Sequence, residues 1–238
     1  MKIIGFIETS LIDWDGHIVS SIYLPGCNFR CPYCHNKNAV LNPESFEEVP
    51  WAYIENYIED NRDFLDGIVV SGGEPTIHSD LPDLLKKLKA MGLKIKLDTN
   101  GTNPDMLQML IHEKLIDYIA MDVKSPLTKK YSDLVGIDLD LDTIKRSIDL
   151  IESSGIDYEF RTTVVPILLS ENDVLEIISE LKGSKKYALQ QFRPDYTLDP
   201  ALSELKPYSS EVILKLADKA QKNIQIVTIR GDVQTSSL

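Results

Sequence analysis

Seven short β-rich runs alternate with helical patterns along the 238-residue chain, and this alternation limits the fold more than any other feature. The runs span residues 18–24, 67–70, 94–97, 118–121, 158–165, 187–191 and 224–229, most of them rich in Val, Ile and Tyr, the composition of strands. Helical patterns fill the gaps at 44–64, 81–91, 104–115, 140–154, 170–181 and 209–222. In 81–91 the apolar residues are Leu84, Leu85 and Leu88, with Gly92 beyond as a C-terminal stop. Asn103 and Pro104 read as N-cap and first helical residue. Leu141, Ile144, Ile148 and Ile151 form one apolar stripe ending at Gly155. Ser170-Glu-Asn-Asp173 resembles a capping box. Strands alternating with helices through short connections predict right-handed βαβ units, hence an α/β fold around a mainly parallel sheet. Periodicity alone does not separate a barrel from an open sheet. The expected organisation is a single domain over 1–238, with a core of about 18–194. Residues 195–238 form a C-terminal helix and strand that cap the core or help hold a partner.

Composition narrows the class of function. Lys and Arg number 25 against 37 Asp and Glu, a formal net charge of −12. An acidic chain without a long basic run is a poor match for a nucleic-acid backbone. No apolar stretch approaches the roughly 20 residues that span a bilayer. The N-terminus carries acids and a turn in place of a signal-peptide core. The expectation is a soluble, cytoplasmic protein that is neither exported nor membrane-bound.

In a parallel sheet, ligands bind at the carboxyl ends of the strands, and the unusual residue clusters lie there. Cys27, Cys31 and Cys34 are the only cysteines, spaced C-x-x-x-C-x-x-C directly after a β-rich run. An odd count excludes a fully paired disulfide framework. Three thiolates on one loop suit a 4Fe–4S cluster with one iron left open. Other centres are compatible with parts of the pattern. A haem attachment Cys31-x-x-Cys34-His35 or a redox pair of Cys31 and Cys34 leaves Cys27 without a role. A zinc site using His35 crowds two adjacent ligands onto one small ion. Ser71-Gly72-Gly73-Glu74-Pro75 is a glycine turn holding a carboxylate that suits an ammonium group, or else a tight turn with a solvated acid. Asp98-Thr99-Asn100-Gly101 and Asp122-Val123-Lys124 end two further runs, and their acids and hydroxyl suit a hard cation or a ribose. Arg161, inside a strand-like run, must pair with an acid or face the mouth of the fold. Gln190–Pro194 ends the next run as a polar loop. His17, His78 and His112 read as surface or satisfied histidines, and His35 as a neighbour able to tune the cysteine loop.

Taken together, the cysteine spacing with Tyr33 before the last cysteine, followed by Gly72-Gly73-Glu74-Pro75 at the next strand end, resembles the radical S-adenosylmethionine (SAM) superfamily. The finer likeness is to glycyl-radical-enzyme activases. Phe29–Asn36, Asp98–Gly101, Ala120–Lys124, Phe160–Pro166 and Gln190–Pro194 resemble the longer form of the activating proteins of anaerobic ribonucleoside-triphosphate reductases. The resemblance implies a partial (β/α)6 barrel of the TIM type with the cluster at its mouth. It implies Cys27, Cys31 and Cys34 as catalytic cluster ligands, with SAM chelating the open iron through its amine and carboxylate. Tyr33, Gly72, Gly73, Glu74, Asp98, Thr99, Asp122, Lys124 and Arg161 would bind the cofactor, the Gly72–Glu74 turn taking the amine. Asp98, Thr99, Asp122 and the Ala120 carbonyl would form a monovalent-cation site beside the carboxylate. A histidine that pyruvate formate-lyase activase carries near the end of the sixth strand is replaced here by Phe192-Arg193. The implied reaction is reductive cleavage of SAM to a 5′-deoxyadenosyl radical that removes hydrogen from a glycine α-carbon of the reductase. The electron would come from flavodoxin or ferredoxin, through a local positive patch of Arg30 and Lys37. A radical SAM enzyme acting on a small molecule of the deazapurine type, or an activase of another glycyl radical enzyme, is the alternative. A non-catalytic iron–sulfur or zinc module is the third reading.

Overall fold

The computed structural model describes residues 1–231. Its eight strands form one sheet in chain order: β1 (Gly5–Ser10), β2 (Val19–Leu24), β3 (Gly67–Gly72), β4 (Lys94–Thr99), β5 (Tyr118–Asp122), β6 (Asp157–Val164), β7 (Lys186–Gln191) and β8 (Ile226–Arg230). β1 is antiparallel to β2, and every later neighbour pair is parallel. Among the described residues β8 does not pair with β1, so the sheet curls without closing. This is the partial barrel expected, with six crossovers between β2 and β8. β1 was not foreseen. Its residues alternate poorly, and Ile7, Glu8 and Thr9 are exposed on an edge, so no burial pattern marked it.

Helices cover the outer face: α1 (Lys37–Leu41), α2 (Trp51–Asp60), α3 (Leu81–Ala90), α4 (Pro104–His112), α5 (Lys129–Val135), α6 (Leu141–Ser153), α7 (Glu171–Glu180) and α8 (Ser210–Ala220). Their apolar stripes pack on the outward residues of the strands. Ile144, Ile148 and Ile151 of α6 lie in one continuous core with Phe160 of β6 and Leu107 and Leu110 of α4. The helix ends follow the sequence signals. The Asn103 side chain accepts from Met106 N at 3.1 Å. Ser170 and Asp173 form a reciprocal capping box. Gly92 and Gly155 have positive φ just past their helices. The helix expected over 44–64 is corrected to α2 alone. Pro43–Ser45 forms a 3-10 turn, and Pro50 stands in extended conformation as the N-cap, because proline cannot supply an interior helical N–H. The strand expected at 224–229 begins at Ile226, and 232–238 of the expected C-terminal extension lies outside the described residues. No helix among the described residues is long and apolar enough to cross a membrane.

Inside the curl the sheet is polar. The β1–β2 loop folds back beneath it, with Trp14 buried against Val19, Val69 and Tyr118. Gly67 allows this, since a Cβ there would stand 3.0 Å from the Trp14 ring and 2.7 Å from Lys94 O.

Candidate functional site

A cavity of about 440 Å³ opens at the carboxyl ends of the strands. It is lined by all three cysteines, Tyr33, Gly72, Gly73, Glu74, Asp98, Thr99, Asp122, Lys124 and Arg161, so every predicted site side chain meets in one place. Period-two alternation explains the strand contributions. Tyr23, Ser71, Asp98, Asp122, Arg161, Thr163 and Gln190 line it from six successive strands, β2 to β7, with Arg161 and Thr163 two residues apart on β6. Ala120, whose carbonyl was assigned to a cation site, is buried opposite Asp98 in the β4–β5 register.

The cysteine loop is fixed to the sheet by the two glycines after β3. Gly73 N donates to Leu24 O at 3.0 Å and Glu74 N to Gly26 O at 2.9 Å. A Cβ on Gly72 would lie 2.2 Å from Leu24 O, and one on Gly73 would lie 1.7 Å from Gly26 O. Only glycine permits this approach of two backbones. The Asn36 side chain adds a third tie, donating to Gly72 O at 2.8 Å. The two sequence motifs are thus one structural unit.

The three cysteines are free thiols. Burial pushes Cys27 up to about 11 and Cys31 up to about 12, and raises Cys34 as well. Lys124 acts against this at all three, and backbone N–H groups help at two, Phe29 on Cys27 and Asn36 on Cys34. Asn100 Nδ2 stands 3.9 Å from Cys27 Sγ and 2.9 Å from Asn28 Oδ1, and Asn28 is held in turn by Thr102. Asn28, Asn36 and Asn100 were missed as site residues. Each reads as an ordinary loop amide until the fold brings it against the cysteine loop. The His35 ring is engaged with Arg193 O at 2.9 Å. Among the described residues no three His, Cys, Asp or Glu side chains converge on a single ion.

Glu74 is not the solvated acid of the alternative reading. It is 1 % exposed, and its Oε1 accepts from Thr76 N, Thr76 Oγ1 and Thr99 Oγ1 while Oε2 accepts from Asn100 N. Burial raises its carboxyl, opposed by these donors. The side chain ties the β3 turn to the β4 turn, and Glu74 lines the cavity together with Gly72 and Gly73.

The far wall is ionic. Asp122 Oδ1 accepts from Arg161 Nε at 2.7 Å and Oδ2 from Lys124 Nζ at 2.8 Å. Burial works against its charge, but the two cations outweigh it and hold the carboxyl well below the usual range. Asp98 Oδ1 lies 3.2 Å from Arg161 and 3.6 Å from Lys96, yet accepts no hydrogen bond. The buried Tyr33 hydroxyl has no partner either. Such unfilled groups in a cavity mark a place built for a ligand.

The profile of the radical SAM superfamily matches residues 21–181, the segment that carries the cysteine loop and both ionic strand ends. The chain belongs to the radical SAM superfamily. Its members use a 4Fe–4S cluster and S-adenosylmethionine, and this protein is an enzyme of that kind. A glycyl-radical enzyme activating enzyme of Methanocaldococcus jannaschii is 38% identical over 95% of this chain and 96% of its own, which places the chain in the activating-enzyme family. Among solved structures, Streptococcus suis SuiB bound to its precursor peptide SuiA superposes with a TM-score of 0.69 at 16% identity, over 90% of this chain and 49% of SuiB. A domain of pyruvate-formate lyase-activating enzyme from Bacteroides vulgatus gives 0.54 at 17% identity, over 69% of this chain and 99% of that domain. At such identities the two structures speak for the fold alone.

Proposed function

We propose that this radical SAM enzyme generates a glycyl radical on an anaerobic ribonucleoside-triphosphate reductase. The observation that carries the reading is the common border of three thiols, a glycine turn and two acid-paired cations around one cavity. Cys27, Cys31 and Cys34 would hold three irons of the cluster. Each would bind as a thiolate, so loading the cluster must displace the protons that burial favours in the protein alone. When loaded, cluster and SAM supply a 5′-deoxyadenosyl radical.

The protein's own residues bind and orient. Asp122 holds Lys124 and Arg161 in place before SAM arrives, so the SAM carboxylate meets cations that need little reorganisation. The edge of Gly72, Gly73 and Glu74 would receive the ammonium, and Tyr33 would pack beside the cofactor. A monovalent cation at Asp98, Thr99 and Asp122 would share Asp122 with Lys124 and Arg161, each of which already takes one of its oxygens. That radical would take hydrogen from the glycine Cα, with 5′-deoxyadenosine as product and the unpaired electron left on the glycine. The walls must exclude water and oxygen meanwhile. Residues 195–231 would act with the barrel as one domain. Reduction would come in the cytoplasm from a flavodoxin or ferredoxin. Arg30, exposed and bonded to Cys27 O, and Lys37, bonded to Thr197 O, provide positive charge beside the cysteine loop.

The test is an anaerobic reaction of reconstituted protein, dithionite and SAM with and without the host's reductase, read by electron paramagnetic resonance. A glycyl doublet that requires both proteins is the expected result. 5′-Deoxyadenosine without a radical on the reductase would move the substrate elsewhere, to another glycyl radical enzyme or a small molecule. Neither product from cluster-loaded protein would end the activase reading.

A further inference from the structure

Below the cavity the lumen holds a second set of charges. Lys96 points inward from β4 one step beneath Asp98 and is 2 % exposed. Its Nζ donates to Asp13 O at 2.5 Å, lies 3.6 Å from Asp98 Oδ1 and 3.8 Å from Glu159 Oε1, and sits 5.8 Å from the Tyr118 ring centroid. A buried lysine is retained only where it is paired, and the two acids are not equal partners. Glu159 accepts two hydrogen bonds from Arg230, at 2.9 and 2.8 Å, and also lies 3.5 Å from Lys186. It keeps two cations without Lys96. Asp98 has one other cation, Arg161, which is shared with Asp122.

We propose that Lys96 is a positioning residue for SAM. It shares the charge of Asp98, so that Arg161 stays on Asp122 and faces the cavity beside Lys124. This rests on the assignment of Arg161 and Lys124 to the SAM carboxylate. Without Lys96, Asp98 draws Arg161 toward itself, and the carboxylate site loses one of its two cations. Arg161 is shifted and not removed, so the expected loss is of the order of one power of ten in affinity, or about 1.4 kcal/mol.

The experiment measures SAM affinity of the reconstituted protein by equilibrium dialysis, with the SAM-induced change in the spectrum of the reduced cluster as second readout. Lys96→Met is expected to weaken binding about tenfold and raise KM for SAM with little change in kcat, at full cluster content. Lys96→Arg should restore most of the affinity. Should Lys96→Met fail to fold, Lys96→Gln removes the charge but keeps an N–H able to donate to Asp13 O, and its SAM binding should remain weak because Asp98 has lost its second cation. Wild-type affinity in Lys96→Met or Lys96→Gln would overturn the proposal, because Lys96 would then serve only the packing of the floor. A wild-type protein that carries its cluster but does not bind SAM would instead refute the site assignment on which the proposal rests.

Discussion

The mouth and the floor of this barrel are both rich in charge, yet they are finished to different degrees. On the floor each acid has its cations. Glu159 is gripped by Arg230 and flanked by Lys186 and Lys96, and Asp15 binds Lys186 at 2.9 Å and Arg230 at 2.8 Å. At the mouth, Asp98 Oδ1 and the Tyr33 hydroxyl lack hydrogen bonds, and three thiols, one buried and two half-buried, share few donors. Satisfied polar networks fix a structure, whereas unsatisfied ones raise its energy until something fills them. The floor is complete as protein alone, and the mouth becomes complete with cluster and cofactor. Damage should therefore separate: substitutions at the mouth remove chemistry first, and those on the floor remove stability first.

The strongest test of that division is Cys31→Ala. Cys31 is 6 % exposed but contributes only a small side chain to the core, so the loss of stability should stay near 1 kcal/mol. Cluster absorbance and SAM cleavage should vanish. Retained cleavage would refute the ligand assignment, and global unfolding would show that mouth and floor are not separable.

Gly73→Ala probes the joint between the two motifs. Its Cβ would fall 1.7 Å from Gly26 O, a clash with backbone that only a shift of the cysteine loop relieves. Overpacking of this kind costs about 1–3 kcal/mol, or roughly 2–12 °C in Tm at this chain length. Iron incorporation should fall along with stability, because the displaced loop carries Cys27. Full iron content and an unchanged Tm would mean that the glycines do not hold the loop as argued.

How much of this was legible beforehand follows the same line. The cysteine loop, the Gly72-Gly73 turn and the polar strand ends were readable because their chemistry is written in residues a few positions apart. The parallel sheet was readable because the runs and stripes repeat. The floor was not. Lys96, Glu159 and Arg230 sit on three strands, and only the register of β4 to β8 shows that their long side chains meet. Lys96 left one trace, a lysine two residues before Asp98 and so on the same face of a strand. The structural role of the Glu74 carboxylate was hidden for the same reason, since two of its four donors come from β4 and the residue after it.

The smallest expected effect belongs to Asp15, where the floor reaches solvent. Burial raises its carboxyl, but hydrogen bonds and charge from Lys186 and Arg230 prevail and bring it from 3.8 to about 2. A folded-state value below the unfolded one adds stability that is fully present above about pH 4 and is lost as pH falls through about 2. Asp15→Asn removes that titration. Denaturant unfolding should therefore find the variant slightly less stable than wild type at pH 6. With the carboxylate side chain 48 % exposed, solvent screening limits the difference to below about 1 kcal/mol. The gap should narrow as pH drops from about 4 toward 2, because wild type loses there what the variant never had. A gap that stays constant over this window would mean that Asp15 acts through the shape of the β1–β2 loop and not through its charge, and the floor would then be held by Glu159 alone.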